Sequence, residues 1–201
     1  IIGCLVLVIG IIGFIFWNNR TISTITLDIN PSIEINLTRN EKVKSVVALN
    51  EDAKEIVNGN LKGKSIDDTL KQITDNLIEK GYVAEENFLE IILYSEGDIS
   101  NKELETKLKE TLEKKKIDSN ITTIKKVSKE DEELAKKYDV SPAKISYIKS
   151  IIKDNENINI EDLSNKSVSE LNETKATGKY CDKGYTLEGD WCLKEKERVS
   201  A

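Results

Sequence analysis

Asn30-Pro31 is the pair of residues in this chain with the most specific latent chemistry. An asparagine whose side-chain amide turns back on its own carbonyl carbon closes a five-membered imide and expels the next residue's nitrogen. With proline next, the departing nitrogen belongs to a crowded tertiary amide, which is easier to twist than a secondary one. Amide resonance opposes the step, and a departure of about 12° in ω already costs about 1 kcal/mol. Asp28 and Ser32 flank the pair and are candidate hydrogen-bonding assistants, together with backbone N–H groups arranged as an oxyanion hole. The same dipeptide is also an ordinary turn opener, and residue chemistry alone leaves both uses open.

Other chemistries are poorly supplied. The chain has no histidine, which removes the usual base near neutral pH, the commonest metal ligand and the Ser-His and Cys-His nucleophile pairs. No cofactor motif is present. A formal net charge of -6 with both signs interspersed argues against a nucleic-acid partner, which needs a dominant basic patch. Glu85-Glu86 and Glu132-Glu133 are adjacent rather than convergent, because neighbours on a strand or helix point apart, so a membrane-bound enzyme is the weakest reading. Cys181 and Cys192 lie close together in a turn-rich segment. They suit a small disulfide loop in an oxidising compartment, with two free thiols as the alternative.

The reactive pair must be held by strands. Ile25, Leu27 and Ile29 alternate with polar residues, as do Ile33, Ile35 and Leu37, so two strands of the same parity flank it. A two-residue hairpin sets Leu27 opposite Glu34. A three-residue connection of Ile29, Asn30 and Pro31 instead pairs Leu27 with Ile33 and Ile25 with Ile35, and one interrupted strand also satisfies the parity. In every case Pro31 donates nothing to a ladder and belongs at an edge, bulge or turn, and it biases Asn30 away from right-handed helical geometry.

Downstream, Val43 to Leu49 reads as a strand forming a hairpin with the second. Ser65 caps a helix whose stripe is Ile66, Leu70, Ile73 and Leu77, with Gly81 as its stop. Phe88 to Tyr94 is a buried strand, Ser100 opens a helix with Leu104, Leu108 and Leu112 inward, and Ile121 to Val127 is a further strand. Ser128 caps one helix and Ser141-Pro142 starts another, together a helical hairpin. The expectation is an α+β domain with a mostly antiparallel sheet over residues 21–154, a weakly helical tail or linker over 155–177, and a small cysteine-containing segment over 178–201.

Residues 1–20 precede all this with an uncharged run from Ile1 to Trp17, ending at Asn18-Asn19-Arg20. The run has the character of a single transmembrane helix, with Trp17 at the interface and Cys4 as a small residue within the helix. No small-residue cleavage site follows, which favours an anchor over a removable signal peptide.

The string Thr26-Leu27-Asp28-Ile29-Asn30-Pro31-Ser32-Ile33-Glu34-Ile35, followed by Val43 to Asp52 and the Gly63-Lys64-Ser65-Ile66 helix entrance, resembles the extracytoplasmic domain of the anti-sigma-I factor RsgI family. The resemblance covers roughly Thr21 to Asn172. It implies a single-pass protein of the cell membrane, with a cytoplasmic part, absent here, that holds a sigma factor. The outer domain is implied to sever itself between Asn30 and Pro31 while its pieces stay associated. An intramembrane protease then acts on the stub and the sigma factor is freed. An extracellular polysaccharide is the kind of external ligand the resemblance suggests. The competing reading is an anchored surface-binding or adhesion module that never cleaves.

Overall fold

The computed structural model describes residues 9–11, 13–14, 17–18, 20–83, 88–153, 158–181, 185–188 and 191–194. Period-two segments become β1 (Thr21–Asp28), β2 (Ser32–Thr38), β3 (Val43–Ala48), β4 (Phe88–Gly97) and β5 (Asp118–Thr123). They join in the order β3-β2-β1-β4-β5. The β1–β2, β2–β3 and β1–β4 pairs are antiparallel and β4–β5 is parallel. The expected α+β fold with a mostly antiparallel sheet is therefore present.

β1, which leads into Asn30-Pro31, lies at the centre of this sheet, with a ladder on each side. Alternation also gives it two buried faces. Ile25, Leu27 and Ile29 join the first core with α1 (Ala53–Ile56), α2 (Ile66–Glu79) and α3 (Asn101–Glu113). The opposite face is covered by a second core from α5 (Pro142–Lys153), α6 (Ile160–Ser164) and α7 (Val168–Thr177), which gather around Ile92 of β4. The helix α4 (Lys129–Tyr138) packs against α5.

Local signals explain these helices. The hydroxyls of Ser65, Ser100 and Ser128 each accept the N–H of the residue three positions on, satisfying donors that a helix start leaves orphaned. Gly97 lets β4 turn toward α3: its φ is +113°, and a Cβ there would lie 1.9 Å from the Ile22 carbonyl oxygen.

Two segments differ from expectation. The fifth strand runs from Asp118 to Thr123 rather than from Ile121 to Val127, because its parallel register pairs Asp118 with Phe88 and Thr123 with Leu93. Only the Ile124 N–H extends that pairing, donating to the Leu93 carbonyl at 2.8 Å. Residues 160–177 are two helices with full capping boxes at Asn159/Asp162 and Ser167/Glu170. Of their few apolar points, Leu163, Val168 and Leu171 are buried and Ile160 is half-buried against the same core, so a sparse stripe suffices.

Upstream of β1, the Arg39 guanidinium lies 4.8 Å from the centre of the Trp17 ring. The described residues of the apolar run are helical at 9–11, 13–14 and 17–18, and the rest of the expected 1–20 span lies outside the described residues. Among the described residues no helix is long and apolar enough to cross a membrane. Near the C-terminus β6 (Tyr185–Glu188) and β7 (Trp191–Lys194) form a separate antiparallel hairpin in which Leu187 faces Cys192. Cys181 is buried, and the Cys192 side chain lies outside the described residues.

Candidate functional site

Of the three parity solutions, the three-residue connection is the one adopted: Leu27 pairs with Ile33, Ile25 with Ile35, and Asp28 with Ser32 at the base of the loop. Ile29, Asn30 and Pro31 span the turn, closed by the Ile29 N–H donating to the Pro31 carbonyl at 2.8 Å. Ile29 and Pro31 are buried while Asn30 is exposed between them. The loop is thus anchored on both sides with its central residue lifted out.

Asn30 does not take the extended geometry usual before proline. Its φ is +62°, in the left-handed region. That conformation costs an L-residue about 1–2 kcal/mol, and asparagine is among the few side chains that visit it routinely. Backbone strain is therefore concentrated at the residue whose amide would have to attack.

Asn50, just past β3, braces the exit. Its Oδ1 accepts the Ser32 N–H and the Ala53 N–H, each at 3.1 Å. The Ser32 carbonyl accepts the Leu49 N–H at 2.9 Å, so both backbone groups of Ser32 are committed.

Asp28 is the loop's most unusual neighbour, being fully buried on the α5 face of β1. The Ser141 hydroxyl donates to its Oδ2, while Oδ1 has no hydrogen-bond partner among the described residues. Burial raises the Asp28 pKa above the ordinary aspartate range, against the lowering pull of Ser141, Ser32 and the Lys144 charge. Ser32 sits directly opposite Asp28 on β2, and its side chain is among the groups that favour the ionised carboxyl. Lys144 is itself only 6% exposed. Burial lowers its pKa, and the charges of Asp28 and Glu170 draw it back up.

A family model for the anti-sigma factor RsgI-like central domain matches residues 22–150, a stretch that contains this loop and all of the five-stranded sheet but the first residue of β1. The chain belongs to the RsgI-like family. Similar relatives include anti-sigma-I factor RsgI7 of Acetivibrio thermocellus, 25% identical over 179 residues, covering 86% of this chain and 33% of the relative. Anti-sigma-I factor RsgI6 of the same organism is 26% identical over 188 residues, covering 84% of this chain and 25% of the relative. Anti-sigma-I factor RsgI of Bacillus subtilis is 32% identical over 157 residues, covering 73% of this chain and 39% of the relative. The chain therefore spans well under half the length of these relatives.

Within the RsgI-like domain the structure brings Asn30, Pro31, Asp28 and Ser32 together at one loop. Cys181 is buried just after α7, and Cys192 lies on β7. Glu132 and Glu133 are exposed, and Glu85-Glu86 lies outside the described residues. Sequence reading missed Asn50, Ser141 and Lys144. Lys144 had a legible signal: it shares the inward stripe of α5 with Ile148 and Ile151, a position a solvated lysine avoids. Ser141 was recognised as a helix start, but its second bond to a carboxylate on β1 has no local trace.

Proposed function

We propose that the chain is the membrane-anchored, outward-facing part of an anti-sigma factor, and that its domain severs itself at Asn30-Pro31. The observation that carries this reading is Asn30 strained and exposed at the apex of a tight loop whose two neighbours are buried. In the step, a bond forms between Asn30 Nδ2 and its own carbonyl carbon. The bond from that carbon to the Pro31 nitrogen breaks, leaving an imide on one piece and a free imino terminus on the other.

The central place of β1 supports retention after the break. The N-terminal piece ends with β1, which keeps hydrogen-bond ladders to both β2 and β4. A membrane anchor within residues 1–20, supported by the apolar composition, would then be joined to the outer domain only by non-covalent contacts. Loss of the outer piece would expose the stub to an intramembrane protease and release a sigma factor held by a cytoplasmic part. An extracellular polysaccharide is the proposed external ligand. A Cys181–Cys192 disulfide, supported by the disulfide-bonded state of Cys181 and the nearby β6–β7 hairpin, agrees with an extracytoplasmic location.

The test is a denaturing gel of purified chain. Two fragments meeting at Asn30 and Pro31 support the proposal, and an Asn30→Ala chain should stay whole. An intact wild-type band would leave an anchored adhesion module as the better reading.

A further inference from the structure

The side of β1 that faces α5 holds a polar cluster that neither core accounts for. Asp28 sits there fully buried, and its Oδ1 has no hydrogen-bond partner among the described residues. On the flanking strands its partners are Ser32 of β2 and Ile92 of β4, neither of them charged. From above, Ser141 is held rigidly: its hydroxyl accepts the Lys144 N–H at 2.9 Å and donates to Asp28, and its carbonyl accepts the Ile145 N–H at 3.1 Å. Lys144 supplies the positive charge that faces Asp28. The charge of Glu170 on α7, itself paired with Lys166 at 3.1 Å, also acts on Lys144.

Burying a carboxylate and a lysine together is costly, and well-packed apolar residues in the same place are often as stable or more so. A cluster that keeps one acceptor unsatisfied, two residues from the strained asparagine, is better explained by chemistry than by stability.

We infer that Ser141 and Lys144 are positioning residues for the Asn30-Pro31 cleavage: they orient and charge-compensate the Asp28 carboxylate at the base of the loop, so that the bond becomes reactive only once the C-terminal helices have docked. The inference rests on the self-cleavage reading above. The step needs one proton removed from Asn30 Nδ2 and one delivered to the Pro31 nitrogen. A single ionised carboxylate that takes the first and returns the second balances it with no outside reagent.

Docking of α5 is in turn tied to α7 and β4, since Tyr147 donates to Asn172 and Asn172 Nδ2 donates to Glu90 at 2.8 Å. Cleavage would therefore report completed folding.

The experiment uses the full chain synthesised in vitro in detergent, shifted to buffers from about pH 5 to 9, with fragments followed on denaturing gels. Wild-type cleavage should rise with pH to a plateau as Asp28 ionises. Lys144→Met should displace the rising limb upward by about one pH unit, because an opposite charge beside an aspartate lowers its pKa by that order or more. Lys144→Arg should restore the wild-type profile. Ser141→Ala, which keeps the lysine charge and loses only the hydroxyl that caps α5 and donates to Asp28, should slow cleavage about tenfold and displace the limb in the same direction, and it decides the matter if Lys144→Met does not fold. Either variant cleaving with the wild-type rate and pH profile overturns the inference. A wild-type chain that never cleaves, or an Asn30→Ala chain that still does, overturns the self-cleavage reading instead.

Discussion

Asp28 and Ser141 are separated by 113 residues and meet through a hydroxyl-to-carboxylate hydrogen bond that has no solvent around it. The bond links the strand before the loop to a helix from the other end of the RsgI-like domain. Through it, the environment of Asn30-Pro31 depends on almost the whole fold.

The left-handed φ of Asn30 separates conformation from chemistry. Glycine adopts that geometry without the steric cost, so Asn30→Gly should fold with a stability within about 1 kcal/mol of the parent. It should nonetheless remain a single chain, because the attacking amide is gone. Urea unfolding together with a denaturing gel checks both halves.

After cleavage the N-terminal piece should stay bound under native conditions and leave in denaturant. Its hold comes from two ladders and from Ile25 and Leu27, both essentially inaccessible to solvent. Leu27→Ala removes buried volume worth about 2–5 kcal/mol. It should convert slow exchange of the fragments, followed by native mass spectrometry, into measurable dissociation.

Gly97→Ala should destabilise the domain by about 3 kcal/mol. The substituted residue would carry a conformation suited to glycine, and its Cβ would meet the Ile22 backbone at 1.9 Å, where no flexible side chain can yield. Thermal unfolding compared with the parent measures the effect.

Acid should loosen the C-terminal helices first. Burial pushes the pKa of Asp131 and of Glu170 up, but hydrogen bonds from Ser128 and Ser167 and the nearby lysines outweigh it, so both lie below their usual values. A folded pKa below the unfolded one gives stability that is present above the unfolded value and lost as pH falls through the folded one. Helical circular dichroism should therefore decline from about pH 5 downward. Asp131→Asn should flatten that decline. Asp28 has the opposite sign: its pKa is raised, so its ionisation opposes folding as pH increases.

The strands of the site were legible because parity is a strict constraint. Once residues 25, 27 and 29 share a face with 33, 35 and 37, few connections remain, and the observed register is one of those expected. Helix starts at Ser65, Ser100 and Ser128 were legible because capping is local. The end of β5 was not, since its limit is set by the parallel partner β4 rather than by its own apolar residues. Lys144 alone stands out, on the inward stripe of α5; the buried cluster at Asp28 was not legible as a whole, because its members come from opposite ends of the domain and meet only when α5 closes over the sheet.

The most direct test of the central claim is intact mass spectrometry of the correctly folded chain under denaturing conditions. The account requires an N-terminal fragment ending at residue 30, as an imide or its hydrolysis product, and a partner beginning with Pro31. A single mass equal to that of the whole chain, unchanged after days at neutral pH, would contradict it.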